Sequence, residues 1–254
     1  MRYVFSKLLN GNFIVIDTSE GIEHEMCLSE LKSKSDIVGV SRRGKITPSS
    51  LRQMIDKYKL LERVSGQTYT LEFEYEDYAG VFVSSIDYRK GDSFSVLLPD
   101  FVTQLSKSCL SFKCDISDII WSKNLQVIAE MSCMHTDIHS AILPNSVKVI
   151  GHHAFAKCEE LESVRIPASV VELNGSAFVS CTKLREVVIE EGLTCIPSSC
   201  FDGCVSLRVL RLPSTVKELG EYCLRGCTDA TVLVKQGTYA HHWCKLNKVK
   251  YSFY

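Results

Sequence analysis

The chain has 254 residues, with 29 basic and 30 acidic side chains for a formal net charge of -1, and is 45% apolar and 23% charged. That length holds one large domain or two modest ones, and the composition is ordinary for a globular protein. The even charge balance argues against nucleic acid or an anionic membrane as partner, since both call for a basic excess or a dense basic stripe; the one basic cluster, SRRGK at 41–45, reads as a solvated turn.

From the N-terminus, MRYVFSKLLNGNFIVID has Ser6, Lys7, Asn10 and Asn12 interrupting any signal-peptide apolar core. No apolar run approaches the ~18 residues of a membrane span. A cytoplasmic protein is therefore expected, although a removed leader would leave the same pattern and a secreted or cell-surface protein is the alternative. NFIVID at 12–17 and DIVGV at 36–40 read as strands. TPSSLRQMIDKYKLL at 47–61 opens with Thr47 and Pro48, a helix-start pair, and places Leu51, Met54, Ile55 and Tyr58 on one face. TYTLEFEY at 68–75 alternates as a half-buried strand does, and VFVSSIDYR at 81–89 pairs with it through the EDYAG turn. Residues 1–92 thus read as a small α+β domain or cap.

From residue 93 a period of 23 takes over. Phe155, Phe178, Phe201 and Leu224 fall in register, as do Cys158, Cys181, Cys204 and Cys227. Further apolar columns run through Ile150, Leu173, Ile196 and Leu219, through Leu161, Leu184, Leu207 and Ala230, and through Val164, Val187, Leu210 and Leu233. Pro144, Pro167 and Pro213 punctuate the coils, with Glu190 replacing the proline once. A fixed period of this size signals a solenoid whose units stack to share one core. Within a unit, LESVRIP is a strand with Leu161, Val164 and Ile166 inward, and GHHAFAKC is a tight turn or short helix burying Ala154, Phe155 and Cys158. The pattern extends upstream with drift. Residues 98–121 place Val102, Leu105, Cys109, Leu110, Ile116 and Ile119 inward, and 122–144 do so with Leu125, Ile128, Cys133, Ile138 and Ala141 if one residue is missing. Five coils and a sixth strand entering at 93–99 are expected.

At these residues the chain resembles the BspA-type leucine-rich repeat family, through the pattern LP.SV..IG..AF.GC..L..V.IP, best carried by 143–227. VKQGTYAHHWCKLNKVKY, 234–251, resembles that family's closing helix and last strand. The resemblance implies an α+β fold in which 93–254 form a leucine-rich-repeat-like solenoid of about 5–6 coils ending in a helix–strand cap at 234–254. It also implies protein binding, many members being cell-surface proteins. Cys200 and Cys223 depart from it by replacing the column's Ala.

Twelve cysteines would suggest disulfides in a secreted chain. Here they repeat in core columns, where a thiol acts as a small apolar group. Coils about 4.8 Å apart bring ladder cysteines within bridging range of Cα, but parallel side chains hold their Cβ atoms too far apart for an unstrained bridge. Reduced structural thiols are expected.

Chemistry finds little support. Cys133, His135, Asp137 and His139 look like a ligand cluster, yet the register gives Cys133 to the Phe slot and Ile138 to the Leu slot, leaving the other three on a surface turn. His241 and His242 fall on the cap helix, expected to face water while Trp243 packs on the last coil. No nucleophile motif or phosphate loop is present, so no enzyme, metal or cofactor is expected; a metal- or thiol-dependent enzyme in 1–92 is the alternative. The expected function is a non-catalytic protein-interaction module working through the exposed strand face, where residues alternating with the inward columns point out. These are Ser163 and Arg165, Glu186 and Val188, Val209 and Arg211, and Val232 and Val234, a mixture of charge and apolar surface that proteins bind.

Overall fold

A single coil of 23 residues has too few inward side chains to exclude water from itself, so the apolar columns are satisfied only by stacking coil on coil. The structure, a computed structural model, describes residues 3–7, 13–17, 22–26, 62–64, 67–76, 80–88, 90–91, 93–98 and 102–254. The strand expected at 36–40 and the helix expected at 47–61 lie outside these.

β1 (Tyr3–Lys7), β2 (Phe13–Asp17) and β3 (Ile22–Met26) form an antiparallel three-stranded sheet with β2 in the middle. β4 (Glu62–Val64) pairs antiparallel with β5 (Gln67–Glu76), and β5 antiparallel with β6 (Gly80–Tyr88), in a register that runs from Tyr69 opposite Tyr88 to Glu76 opposite Gly80. β6 then pairs in parallel with β8 (Val102–Leu105), so the hairpin continues directly into the solenoid's sheet.

Each following coil contributes one long and one short strand. The long strands are β7 (Phe94–Leu97), β9 (Ile116–Ile120), β11 (Ser140–Ile142), β13 (Ser163–Ile166), β15 (Glu186–Ile189), β17 (Val209–Arg211) and β19 (Thr231–Val234). Between them come the short strands β10 (Val127–Ile128), β12 (Val149–Ile150), β14 (Glu172–Leu173), β16 (Cys195–Ile196) and β18 (Glu218–Leu219). Successive equivalents pair in parallel, β7 with β9, β11 through β19 in one sheet, β8 through β14 in another and β16 with β18, the ladders being interrupted between β9 and β11 and between β14 and β16. Helix α1 (Tyr239–Leu246), N-capped by Thr238, and β20 (Tyr251–Phe253), parallel to β19, close the end. The result is a β-solenoid of about seven turns and one helix, slightly longer than the five to six coils read from the sequence.

The core follows the columns. Leu110, Cys133, Phe155, Phe178 and Phe201 are fully buried in one slot, with Leu224 half-buried at its end. Phe155 and Phe178 stack with centroids 5.2 Å apart and planes 1° off parallel; Phe178 and Phe201 stack at 5.6 Å and 11°. Trp121 meets Phe155 edge-on at 6.1 Å. The upstream inward residues from Val102 to Ala141 are buried throughout, and the coil between Ile120 and Ile142 is one residue short, as the register required.

Two backbone features repeat with the period. Ser108, Met131, His153, Ser176, Ser199 and Tyr222 all lie in the left-handed region with φ of 54–59°. Four residues on, so do Phe112, His135, Lys157, Ser180, Gly203 and Gly226, and only in the last two coils is the residue glycine, which bears that conformation without strain. These positions turn the chain between the short and long strands.

The ladder cysteines do more than fill space. The thiol S–H of Cys158 donates to the carbonyl of Cys133, Cys181 to Phe155, Cys204 to Phe178 and Cys227 to Phe201, at 3.1, 3.1, 3.2 and 3.1 Å. Each Phe carbonyl also accepts the N–H of the cysteine in its own coil, so the thiol satisfies a second lone pair that would otherwise be buried without a partner. Where the column carries Thr136, the hydroxyl donates to Cys133 O at 2.9 Å instead. All eleven described cysteines are free.

Candidate interaction face

Strand alternation puts every second side chain of β9, β11, β13, β15, β17 and β19 on one outward surface. Two columns of side chains result. One runs Asp118, Ser140, Ser163, Glu186, Val209 and Thr231; the other runs Ile120, Ile142, Arg165, Val188, Arg211 and Leu233. Ser163, Arg165, Val188 and Val209 are half-buried, and Glu186 and Arg211 exposed, all on the expected side.

Val232 and Val234 are not on this face. Both are 0% exposed, and Thr231 and Leu233 take the outward places. The last coil has lost one residue: Leu210 pairs with Val232, 22 residues on, rather than with Leu233. With a side-chain period of two, a single deletion exchanges the two faces of a strand. In TVLV only Thr231 marks the phase, since Val and Leu suit either face.

Two members of the face escaped the sequence reading. Ile120 is 53% and Ile142 61% exposed on successive coils of the outward column. Their spacing to Arg165 was available: 142 lies one period before 165, and 120 one shortened coil before that.

The arginines of the face already have partners. Arg165 Nη2 donates to Glu190 Oε1 at 2.5 Å, and Glu190 Oε2 accepts the Ala168 N–H at 3.0 Å. The glutamate that replaces the repeat's proline is therefore the anchor of Arg165. Arg211 lies over the ring of Tyr254, its guanidinium carbon 4.2 Å from the centroid, while the Tyr254 hydroxyl donates to Leu212 O at 2.9 Å. Both planar guanidinium groups are held flat against the surface, where they widen it rather than reach out from it.

Charge is distributed unevenly along the leading edge of the long strands. Successive coils carry Asp115, Asp137 and Glu160 in one position and then Lys183; two residues on they carry Ser117, His139 and Glu162, then Arg185 and Arg208. Where the sign changes, Lys183 pairs with Glu160 at 2.6 Å and Arg185 with Glu162 at 4.0 Å, while Arg208 pairs with Asp229 at 3.0 Å. Such exposed pairs each contribute about 0–1 kcal/mol. Asp137, crowded by burial and then by the charge of Glu160, sits above the ordinary carboxylate range.

The clusters considered for chemistry are occupied in other ways. His135 Nδ1 lies 3.5 Å from the exposed Cys114 sulfur and its ring 5.4 Å from Phe112, while His139 Nδ1 bonds to Ser117 O at 3.0 Å. Among the described residues, no group of three His, Cys, Asp or Glu is placed to hold a metal. Burial pushes the Cys158 thiol up to about 11 and Cys109 to about 12, and raises Cys133, Cys181 and Cys200 well above the usual thiol range. His242 is exposed, but His241 is half-buried, with Tyr251 and Phe253 edge-on at 5.1 and 5.0 Å. The expectation that both histidines face water is corrected for His241, because β20 returns across the helix. Among the described residues no helix is long and apolar enough to cross a membrane.

Among solved structures, a leucine-rich repeat protein from Bacteroides ovatus is 16% identical with a TM-score of 0.48, covering 77% of this chain and 67% of its own. The leucine-rich repeat protein of T. pallidum is 24% identical with a TM-score of 0.46, over 65% of this chain and 68% of its own. The pneumococcal vaccine antigen PcpA is 18% identical with a TM-score of 0.45, over 70% of this chain and 50% of its own. A search of curated proteins returned no match. The model of the BspA-type leucine-rich repeat region matches six copies across residues 103–231, about half of the chain, and the protein belongs to that family.

Proposed function

We propose that the chain is a non-catalytic protein-interaction module whose partner docks on the outward strand face through Arg165, Glu186, Val188, Val209 and Arg211. The observation that carries the reading is that Val188 and Val209 lie half-exposed on a parallel sheet whose core is filled without them. Flanking guanidinium groups held flat by Glu190 and Tyr254 extend that surface with little flexibility left to lose on binding. Membership in a repeat family supports the same reading, since stacked coils present an extended binding surface. The even charge balance speaks for a protein rather than a nucleic acid or membrane partner.

A reducing compartment, the cytoplasm, fits the thiol ladder, because each S–H serves as a donor that a disulfide would remove. The raised thiols also support a non-catalytic reading, as a nucleophilic cysteine needs a lowered one. The alternative of an enzyme in residues 1–92 concerns side chains outside those described.

The test is affinity capture from native lysate under reducing conditions with three baits: wild type, Val188→Glu with Val209→Glu, and Val171→Glu on the opposite, short-strand side. A protein retained by wild type and Val171→Glu but lost by the face variant supports the reading. Equal retention by all three sinks it.

A further inference from the structure

The outward face is not uniform along the solenoid. In the coils of β15 and β17 its apolar members are valines beside Glu186 and Arg211. In the coils of β9 and β11 they are Ile120 and Ile142, adjacent in one column and each more than half exposed. Half-exposed Leu97 precedes them in that column. Leu97, Ile120 and Ile142 thus give the outward column aliphatic members on three successive coils, a strip of exposed apolar side chains.

The strip is bordered by carboxylates. Asp118 lies on the same outward face, and Asp115 and Asp137 stand on successive coils at the strand's leading edge. The ion pairs of this face join Glu160 to Lys183, Glu162 to Arg185, Arg208 to Asp229 and Arg165 to Glu190. Asp115, Asp118 and Asp137 take part in none of these. Lys113, two residues from Asp115, turns its ammonium toward the ring of Tyr88, 5.6 Å from the centroid, and the two histidines His135 and His139 flank Asp137. Arg165, which borders Ile142, has its charge engaged by Glu190. The aliphatic strip therefore meets an anionic margin at one end of the solenoid.

We infer that the coils of β9 and β11 receive an extended polypeptide segment of the partner in which aliphatic residues alternate with Lys or Arg. Its aliphatic side chains cover Ile120 and Ile142, and its cations meet Asp118 and Asp137. Charge complementarity selects this occupant, since an acidic segment would face uncompensated repulsion at the same margin. The inference rests on the strand-face reading and assigns the partner's chemistry and the end of the face that reads it.

The experiment uses the full chain and fluorescence anisotropy with three labelled nine-residue peptides: alternating Lys and Val, alternating Glu and Val, and alternating Lys and Ser. The Lys–Val peptide is expected to bind at least about tenfold tighter than either other peptide, a difference of ~1.4 kcal/mol. Ile142→Ser and Asp118→Asn should each weaken it severalfold, while Val171→Ser, on the short-strand side, leaves it unchanged. Equal binding of Lys–Val and Lys–Ser reduces the effect to bulk charge and overturns the inference. So does equal binding of the Glu–Val peptide, no binding of any peptide, or an equal loss with Val171→Ser. A concentration-dependent dimer in sedimentation that Ile142→Ser abolishes would make a second copy of this chain the occupant and also overturn it. Capture of a partner that depends on Val188 and Val209, with no Lys–Val binding, removes this inference alone and leaves the strand-face reading standing.

Discussion

Phe178 is the side chain whose loss the architecture is least able to absorb. It is fully buried, and its ring is stacked on both sides, at 5.2 Å by Phe155 and 5.6 Å by Phe201. Phe178→Ala leaves a gap in the middle of a ladder whose neighbours are held by their own coils and cannot collapse into it, which puts the cost at about 3–5 kcal/mol. Each stacked ring contact accounts for roughly 0.5–1.5 kcal/mol of that. With a urea dependence of about 2 kcal/mol/M, the unfolding midpoint should fall by ~1.5–2.5 M. Fluorescence offers two reporters, since the chain's two tryptophans, Trp121 edge-on to Phe155 and Trp243 on the closing helix, lie on either side of Phe178 along the chain. In single-tryptophan variants both midpoints should fall, because a central coil supports its neighbours in both directions. Leu224→Ala, at the half-buried end of the same column, should cost less than half as much. A loss below ~1 kcal/mol for Phe178→Ala, or an equal loss for Leu224→Ala, would refute the shared-core account.

Three further predictions follow from other features of the coil. Cys181→Thr should retain about 1 kcal/mol more stability than the similarly sized Cys181→Val, because a hydroxyl keeps a donor in the column, which Thr136 uses on the Cys133 carbonyl of its own coil and Cys181 on the Phe155 carbonyl of the coil before; equal denaturation midpoints would show the donor to be irrelevant. Stability should decline on the alkaline side. A folded thiol raised above its unfolded value of about 8.5 contributes stability that is complete below that pH and lost as pH rises toward the folded value, about 11 for Cys158, so this residue alone should lose ~2 kcal/mol by pH 10. The other buried thiols add to the decline, so the denaturation midpoint from pH 7 to 10.5 should fall at least that steeply and somewhat less so in Cys158→Ala; a level profile contradicts it. Finally, Lys157 is exposed with φ of 57°, so Lys157→Val should cost about 1–3 kcal/mol without touching the core, and Lys157→Gly nothing.

Much of the solenoid was legible because its stability is periodic. Any residue that fills the inward slot must be apolar and of similar size in every coil, so Leu110, Cys133, Phe155, Phe178 and Phe201 mark the slot even where the coil at 122–144 drops a residue. The same logic failed at Thr231–Val234. There a one-residue deletion exchanges the faces, and with Val and Leu on both of them Thr231 is the one polar residue of the strand that marks its phase. The hydrogen-bonding role of the thiols was also hidden, because a sequence shows that a small residue recurs but not which carbonyl faces it. Thr136 was the available clue, as a residue that shares with cysteine a small donor and little else. The anchoring of Arg165 was half visible in the substitution of proline by Glu190, but the contact of Arg211 with Tyr254 spans residues 43 apart and needed the fold.

The most direct test of the strand face as the binding surface is site-specific photo-crosslinking in native lysate under reducing conditions. A photoreactive residue is placed at Val188 on the face, or at Val171 on the short-strand side. The account predicts a discrete crosslinked partner from position 188, competed away by unlabelled wild-type protein and unaffected at position 171. A partner crosslinked from 171 and not from 188 would contradict it.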